Sequence, residues 1–318
     1  MPIIDKSHIP SSANAVNELK IKLDANNAAK IFVFIVIYFL NLHTKLYILL
    51  QKKNILKFLL IVFINSLICK LKTAMNELNS VSHFKNFTVS SYECDQNLNL
   101  KTHCLFQWFS EIAWEHAKKL NFGFEELNST DYYWVLLGMN VRIEKLPVWQ
   151  QKIKLQTWPS GIEGLYFSRE FMLFDESDNL LVAARSTWLI YNRQTNRPII
   201  PTGKEFEYKT NNTKAVETNF SKLKAQSNFD KKFNVIANYT DIDLHKHVNN
   251  AVYIKWIENI MKDIFPNKIS EIKIQYIKEV KIDDVIEISV KQEDNICFYE
   301  ALVNADKVCF RAEVMVGC

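Results

Sequence analysis

The sequence predicts an α+β fold of two similar halves, each with one long helix packed against a curved antiparallel sheet. In each half a strand-like segment precedes a single amphipathic helix, and a series of strands follows. Two strand–turn–strand segments, Lys145–Leu155 and Lys278–Ile288, also align without a gap at an offset of 133 residues. Because a single sheet of this kind leaves an edge exposed, two halves that join edge to edge would stabilise each other.

The first half is predicted over residues 84–202. Phe87–Tyr92 alternates as a strand does, and Leu100–Leu120 carries its apolar side chains at helical spacing. An antiparallel meander follows, because four further strand-like segments are separated by turns. These predicted strands are Trp134–Ile143, Lys152–Trp158, Tyr166–Phe174 and Leu180–Asn192.

The second half is predicted over residues 230–318. It follows a polar segment, residues 203–229, that we interpret as a linker with room for a short helix. The same order then recurs, with a strand, a helix and four strands. These elements are Phe233–Tyr239, the helix Val252–Met261, and Glu271–Ile277, Val285–Gln292, Cys297–Asn304 and Lys307–Val316.

Residues 1–74 form a leader of different composition. They carry ten lysines, no arginine and three acidic residues, so their net charge is +7 and, with +4 on the whole chain, the remainder carries −3. Two apolar stretches, Ile31–Leu42 and Ile55–Cys69, are each shorter than the roughly 18–20 apolar residues of a spanning helix. Two interpretations stay open: membrane contact through residues 30–70, or a translated upstream segment with the native start at Met75. A signal peptide is disfavoured, because no small-x-small cleavage motif follows Leu42.

Composition and motifs exclude several classes of function. The negative body does not indicate nucleic-acid binding. The six cysteines show no C-x-x-C pair, which disfavours a zinc module and indicates a reducing compartment, for which we predict the cytoplasm. Cys94 and Cys104 lack an evident neighbouring base and are predicted to be small buried residues. Nucleotide-binding, serine-hydrolase and zinc-protease motifs are absent from the sequence, so no metal or organic cofactor is expected.

The densest group of polar side chains lies just before the second predicted helix. A helix start offers free N–H groups and favours negative charge, which suits the oxyanion formed when a carbonyl is attacked. The alternative is a capped helix behind a polar loop, with one of two asparagines as the N-cap. Spacing alone favours neither interpretation. The group comprises Asp241, Asp243, His245, His247, Asn249 and Asn250.

Glu279 is a second candidate for chemistry. Its segment, Ile274–Val280, is predicted to be a strand, and the alignment of the halves places Leu146 at the equivalent position. A carboxylate in only one half suggests that only that half is catalytic. The alternative is a strand-edge glutamate that faces water. In the first half, His116 is predicted to be a surface or core histidine of the helix.

Several segments together resemble a known family. Tyr239–Trp256, with the sequence YTDIDLHKHVNNAVYIKW, is similar to the second-domain signature of acyl-acyl-carrier-protein thioesterases of the FatA/FatB type and their bacterial relatives. The first half agrees with that family, and the resemblance covers about residues 84–316, outside the leader. The agreeing segments are Ser91–Asp95, Glu111–His116, Thr157–Gly161, Arg185–Trp188 and Arg197–Pro198.

The resemblance implies a tandem (double) hot-dog fold, in which antiparallel sheets wrap two long helices. It also implies hydrolysis of the thioester between a fatty acyl chain and the phosphopantetheine arm of acyl carrier protein. The first half would hold the acyl chain, and its Trp, Phe and Leu side chains would set chain length at roughly 0.8 kcal/mol per buried methylene. The acidic carrier protein would contact basic side chains, for which the candidates are Arg142, Lys145, Lys152 and Lys154.

The family's catalytic motif has an Asp, an Asn two residues on and a His two residues further. Asp243 and His247 match the first and last positions, whereas His245 stands in place of the Asn. The family's catalytic glutamate follows a strand tyrosine by three residues and matches Glu279 after Tyr276.

The resemblance also implies roles for these residues. Glu279 would act as general base on water, or as a nucleophile that forms an anhydride. His247 would orient the reacting groups, and Asp243 would fix the loop and the imidazole. Backbone N–H groups at the start of the second helix would hold the oxyanion, and Asn249 and Asn250 would contact the substrate.

Two departures from the family pattern affect the chemistry. Val280 occupies the place of a cysteine found in many members, so a Cys–His mechanism is not available there. His245 can donate or accept a hydrogen bond as Asn does, but it would titrate near neutrality, which predicts a pH profile more sensitive below about pH 6.5.

Two other functions remain open, an acyl-CoA thioesterase on the same fold and a non-catalytic lipid-binding protein. Exposed sheet edges would allow a homodimer, although a duplicated chain satisfies the same pairing internally.

Overall fold

The structure, a computed structural model, describes residues 61–68, 70, 81–201, 209–264 and 269–317. The chain divides into a unit of residues Met1–Leu71 and a unit of residues Lys72–Cys318. In the first unit, residues 61–68 are helical. Within these ranges no helix combines the length and the apolarity needed to cross a bilayer. The predicted stretch Ile31–Leu42, part of Ile55–Cys69 and the alternative start at Met75 lie outside the described residues.

The two halves of the second unit have the predicted order of elements. In the first half, strand β1 (His83–Thr88) precedes the long helix α1 (Thr102–Lys119), the short helix α2 (Phe124–Asn128) and the meander. In the second half, β7 (Lys231–Ile236) precedes the helix α3 (Asn250–Ile264). The remaining strands are β2 (Tyr132–Ile143), β3 (Lys152–Glu163), β4 (Tyr166–Asp175), β5 (Leu180–Asn192), β6 (Arg197–Pro198), β8 (Ile269–Tyr276), β9 (Val285–Glu293), β10 (Ile296–Val303) and β11 (Lys307–Val316).

The described strands form one antiparallel sheet. Its order is β1-β3-β4-β5-β2-β8-β11-β10-β9-β7, and β6 pairs with β5. β2 and β8 join the halves edge to edge, from the pair Gly138–Gln275 to the pair Arg142–Glu271. A side chain is excluded at Gly138, because a Cβ there would lie 2.4 Å from the carbonyl oxygen of Ile274. The predicted edge-to-edge union of the two halves is confirmed.

The two long helices supply the centre of the hydrophobic core. α1 buries one apolar stripe that includes Leu105, Phe109 and Ile112, and α3 buries a stripe that includes Ile254 and Ile257. All five belong to one cluster that also contains side chains from both parts of the sheet. Since each such side chain contributes about 1.5–3 kcal/mol when removed from water, this cluster holds the two helices against the sheet.

The aligned turn segments of the two halves are structural equivalents. The N–H of Leu100 donates to the carbonyl oxygen of Pro147 at 2.8 Å. The corresponding bond in the second half runs from Val248 to the carbonyl oxygen of Val280, also at 2.8 Å. The acceptors are 133 residues apart, as the alignment of the two segments predicts, and the donors are 148 residues apart.

The first strand of each half ends earlier than its sequence pattern predicts. β1 ends at Thr88 rather than at Tyr92, because a 3-10 turn begins after Ser90. The carboxylate of Glu93 accepts the N–H of Ser90 at 2.8 Å and holds this turn. β7 likewise ends before an equivalent turn, Tyr239–Asp241.

The described part of the predicted linker, residues 209–229, contains no helix. It packs instead on a buried ion pair of the first half, in which Nε of Arg185 lies 3.3 Å from Oε1 of Glu170. The N–H of Ala215 donates to Glu170 at 3.0 Å, and Arg185 donates to the Asn219 side chain at 3.1 Å. These bonds, rather than a helix, hold the segment.

Candidate active site

Asp243 orders the polar loop that precedes α3. Its Oδ1 accepts the N–H of His245 at 2.9 Å, and its own N–H donates to the carbonyl oxygen of His247 at 2.9 Å. Lys246, with a φ of 67°, turns the chain between the two histidines. Oδ2 of Asp243 accepts from Nδ2 of Asn249 at 3.4 Å. Asp243 thus fixes the loop through backbone and amide groups. The imidazole of His247 contacts a different carboxylate, that of Glu279.

The imidazole of His247 meets a carboxylate from a neighbouring loop. Its Nε2 lies 2.9 Å from Oε2 of Glu279. The prediction that Glu279 lies in a strand is wrong, because β8 ends at Tyr276 and Glu279 belongs to the loop that leads to β9. The bond from the N–H of Val248 to Val280 holds the two loops side by side. The side chains of His247 and Glu279 are 31% and 57% exposed, so water can reach the pair.

The two asparagines at the start of α3 have different environments. Oδ1 of Asn249 accepts the N–H of Ala251 at 2.9 Å, which makes Asn249 the N-cap. Asn250 is half-buried and lines a cavity, and its backbone carbonyl oxygen accepts a hydrogen bond from the hydroxyl of Tyr276 at 3.1 Å. Because the first N–H groups of a helix have no acceptor within it, the N–H of Asn250 is available to a ligand. The capping interpretation therefore applies to Asn249, and Asn250 remains the candidate substrate contact.

His245 packs against two aromatic rings of the first half. Its ring centroid lies 5.5 Å from that of Trp114 and 5.2 Å from that of Phe124, both edge-on. Partial burial lowers the pKa of His245 below its ordinary value of 6.5, against the opposing charge of Asp243. The titration expected near neutrality is therefore displaced to more acidic pH.

A cavity of about 1200 Å³ extends from this loop into the first half. Typical small-molecule pockets enclose roughly 300–1,000 Å³, so this cavity has room for a long ligand. Polar groups of the second half, including Asp243, His247 and Glu279, line one part of it. Apolar side chains of the first half line another part, among them Trp114, Phe124, Leu127, Trp134, Leu136 and Trp188.

The first half repeats the polar loop without its ionisable groups. Asp95 accepts the N–H of Asn97 at 2.8 Å, as Asp243 accepts that of His245, and it also accepts the N–H of Asn99 at 2.9 Å. Asn97 and Asn99 thus stand where the second half has its two histidines. Leu146 stands where it has the glutamate. Only the second half therefore carries the imidazole–carboxylate pair.

A signal for this equivalence is present in the sequence, although the comparison of strands and helices missed it. Ser90 and Glu93 form a capping box around the first 3-10 turn, and Asn238 and Asp241 form one around the second. In each half an aspartate follows the box by two residues. This short pattern aligns the two polar loops at an offset of 148 residues.

The other titratable groups that the sequence singled out are protected from reaction. Burial raises the pKa of the Cys104 thiol to about 11, and burial also raises the pKa of Cys94, which is half-buried rather than buried. His116 is a core histidine, and burial lowers its pKa to about 3 beside Arg169, whose Nη1 lies 3.0 Å from its Nδ1. Among the described residues, no group of three His, Cys, Asp or Glu side chains is placed to hold a metal ion.

Comparison with protein families identifies two consecutive matches. Residues 80–203 match the family described as "Acyl-ACP thioesterase N-terminal domain". Residues 222–314 match "Acyl-ACP thioesterase C-terminal domain". The two matches together cover more than half of the chain.

Curated relatives include the "Acyl-[acyl-carrier-protein] hydrolase FATB3, chloroplastic" of Cuphea viscosissima, which is 27% identical over 226 residues, 66% of this chain and 54% of the relative. The "Oleoyl-acyl carrier protein thioesterase, chloroplastic" of Coriandrum sativum is 24% identical over 243 residues, 70% of this chain and 66% of the relative. The chain thus spans about half to two thirds of the length of these relatives.

Solved structures show the same fold. An acyl-ACP thioesterase from Bacteroides thetaiotaomicron superposes with a TM-score of 0.69 at 24% identity, over 76% of this chain and 99% of that structure. The 12:0-ACP thioesterase from Umbellularia californica superposes with a TM-score of 0.65 at 21% identity, over 74% and 96%. The predicted double hot-dog fold is confirmed.

Proposed function

Since the chain belongs to the acyl-ACP thioesterase family, we propose that it hydrolyses fatty acyl-ACP to a free fatty acid and the thiol of acyl carrier protein (ACP). One observation carries the proposal, namely the 2.9 Å contact between His247 and Glu279 beside a cavity lined by apolar side chains. The curated relatives, a hydrolase of acyl-[acyl-carrier-protein] and an oleoyl-acyl carrier protein thioesterase, support this substrate class.

Glu279 is the proposed general base. Its exposed carboxylate takes a proton from water while the water oxygen attacks the carbonyl carbon of the thioester. The imidazole of His247 holds the carboxylate in position. As a second route, Glu279 itself attacks the carbonyl carbon, and water then hydrolyses the resulting anhydride. Neighbouring Val280 supplies no thiol to either route.

The start of α3 is the proposed oxyanion site. Attack on the carbonyl carbon places negative charge on its oxygen, and the N–H of Asn250 at the positive end of the helix stabilises that charge. One such donor is worth about 10²–10³ in rate. The carbon–sulfur bond then breaks, and the departing thiolate takes up the proton that Glu279 received. A thiol with a pKa of about 8.5 leaves without strong acid catalysis.

The first half is the proposed binding region for the acyl chain. Its apolar side chains line the cavity next to the catalytic loop. Three of the four basic residues proposed to contact the carrier protein already pair with exposed acids: Arg142 with Glu144, Lys152 with Glu176, and Lys154 with Asp178. Exposed pairs contribute only about 0–1 kcal/mol, so acids of the carrier protein can replace these partners.

The deciding experiment compares two thioesters with the full chain. We expect kcat/KM for palmitoyl-ACP to exceed that for palmitoyl-CoA by at least about tenfold, a difference of about 1.4 kcal/mol in transition-state binding. The opposite preference would indicate the acyl-CoA thioesterase. No hydrolysis of either thioester by a folded chain, with palmitate still bound, would indicate the non-catalytic lipid-binding protein.

We propose a division into a first half over residues 84–202, a linker over 203–229 and a second half over 230–318. The boundaries of the two family matches support this division.

Four cysteines in the described part of the chain are free thiols, which supports a reducing compartment such as the cytoplasm. The pairing of β2 with β8 provides within one chain the edge pairing that a homodimer would otherwise supply. Sedimentation velocity distinguishes a monomer from a homodimer.

A further inference from the structure

A carboxylate from the second half occupies the start of α1. Glu258, on α3, accepts the backbone N–H of Thr102 and that of His103, the latter at 3.1 Å. Nδ1 of His103 lies 2.6 Å from the same carboxylate oxygen. The side chains of Glu258 and His103 are only 21% and 19% exposed. The N–H groups in the first turn of α1 are therefore already bound to an anion.

The two halves make the start of α1 equivalent to the start of α3. Thr102 and Asn250 are the first residues of the two long helices and lie 148 residues apart, as do the aspartates of the two polar loops. Eight residues into each helix stand Ser110 and Glu258. From the symmetric strand order of the two halves we expect Ser110 to lie near the start of α3, as Glu258 lies at the start of α1.

The cavity reaches the start of α3, where the small Ser110 is expected, but not the start of α1, where the larger Glu258 lies. Ser110 and Asn250 both line it, whereas Thr102 and Glu258 are not among the described residues that line it. The hydroxyl of Ser110 donates back to the carbonyl oxygen of Phe106 at 3.0 Å, so it does not extend toward α3. The start of α3 is thereby left open, and the equivalent start of α1 is filled.

We propose that Ser110 is a positioning residue that keeps the first N–H groups of α3 open to the substrate carbonyl, and that Glu258 closes the equivalent site of the first half. This inference rests on the proposed function, because the open N–H groups are those assigned to the oxyanion. A carboxylate at position 110 would bind them as Glu258 binds the start of α1. It would displace the neutral carbonyl oxygen of the substrate from them, because a charged acceptor bonds an N–H more strongly than a neutral one does.

The test compares Ser110→Glu with Ser110→Gln in the full chain. We expect Ser110→Glu to lower kcat/KM for palmitoyl-ACP by at least about 10²-fold, the scale of losing one oxyanion donor, without a lower Tm. Ser110→Gln has the same size without the charge and should lose less activity. A folded Ser110→Glu protein with wild-type activity would overturn the proposal.

A second readout does not depend on hydrolysis. In ¹H–¹⁵N spectra, Ser110→Glu should shift the amide proton of Asn250 downfield, because that N–H gains a carboxylate acceptor. Glu258→Gln should instead shift the amides of Thr102 and His103 and leave kcat/KM within about threefold, less than 1 kcal/mol. An unchanged Asn250 amide would overturn the proposed role of Ser110. If the wild type shows no hydrolysis but the Asn250 amide shifts, the proposed function fails and the placement of Ser110 stands.

Discussion

Nε2 of His247 lies 2.9 Å from Oε2 of Glu279, although all of α3 and β8 separate the two residues along the chain. Two loops bring them together, one ordered by Asp243 and the other joined to it through the bond from Val248 to Val280. The first half has the same loop connection but Leu146 in place of the carboxylate. Chemistry is therefore expected from one half of a duplicated architecture.

The two loop aspartates provide a matched pair of variants. Asp243→Asn should lower kcat/KM at least about tenfold, because the loop that carries His247 loses its charged acceptor. Asp95→Asn disturbs the equivalent loop of the first half and should leave kcat/KM within about threefold. Each variant should lose about 1 kcal/mol in the free energy of unfolding. Equal losses of activity in the two variants would contradict the assignment of catalysis to the second half.

The effect of His245 should be confined to acidic pH. The groups that influence its charge are Asp243, His247, Arg193 and Glu279, and partial burial dominates and lowers its pKa below 6.5. Because the imidazole stays neutral at higher pH, the pH–rate profiles of wild type and His245→Asn should run parallel above about pH 6.5. Below that, protonation adds a positive charge next to His247, and the wild type should lose activity more steeply. Profiles that diverge above neutrality would contradict this account.

His116 should make the fold less stable in acid. Its pKa is about 3 in the folded protein, whereas an unfolded histidine titrates near 6.5, so the unfolded chain binds the extra proton first. Stability is complete above about pH 6.5 and falls as the pH drops toward 3, by on the order of 4–5 kcal/mol in total. His116→Gln should reduce that fall, as measured by urea unfolding at pH 7 and pH 4. An unchanged difference between the two pH values would exclude this role.

The buried ion pair of Glu170 and Arg185, on which the linker segment packs, should contribute more to the free energy of unfolding than an exposed ion pair does. Burial raises the pKa of Glu170, and Arg185 opposes that effect. Glu170→Gln leaves the Arg185 guanidinium buried without its charged partner, which should lower the free energy of unfolding by about 3 kcal/mol. Asp178→Asn removes an exposed partner of Lys154 instead and should cost no more than about 1 kcal/mol. Urea unfolding of both variants measures the difference, and equal costs would contradict it.

Periodicity predicted the fold well because the core is regular. The apolar stripe of α1 and the alternation at the start of β3 are repeated patterns, and β4 and β5 are buried almost throughout. The ends of β1 and β7 were predicted too late, since Ser90 and Asn238 form capping boxes that override alternation. The absence of a helix in residues 209–229 also depends on a distant partner, the buried Glu170.

The candidate site was only partly predictable from the residues. Asp243, His247 and Glu279 were singled out, but spacing alone could not place the glutamate beside the imidazole, because that contact depends on how two loops pack. The ring contacts of His245 with Trp114 and Phe124 could not be predicted either, because these residues lie more than a hundred positions away in the sequence.

The most direct test of the central claim is the rate of palmitoyl-ACP hydrolysis by Glu279→Gln in the full chain. The account predicts a fall in kcat of at least about 10²-fold, the scale of general-base catalysis, with an unchanged Tm. Glu144→Gln, in the equivalent turn of the first half, serves as the control and should retain wild-type activity. A folded Glu279→Gln protein that hydrolyses palmitoyl-ACP at the wild-type rate would contradict the claim.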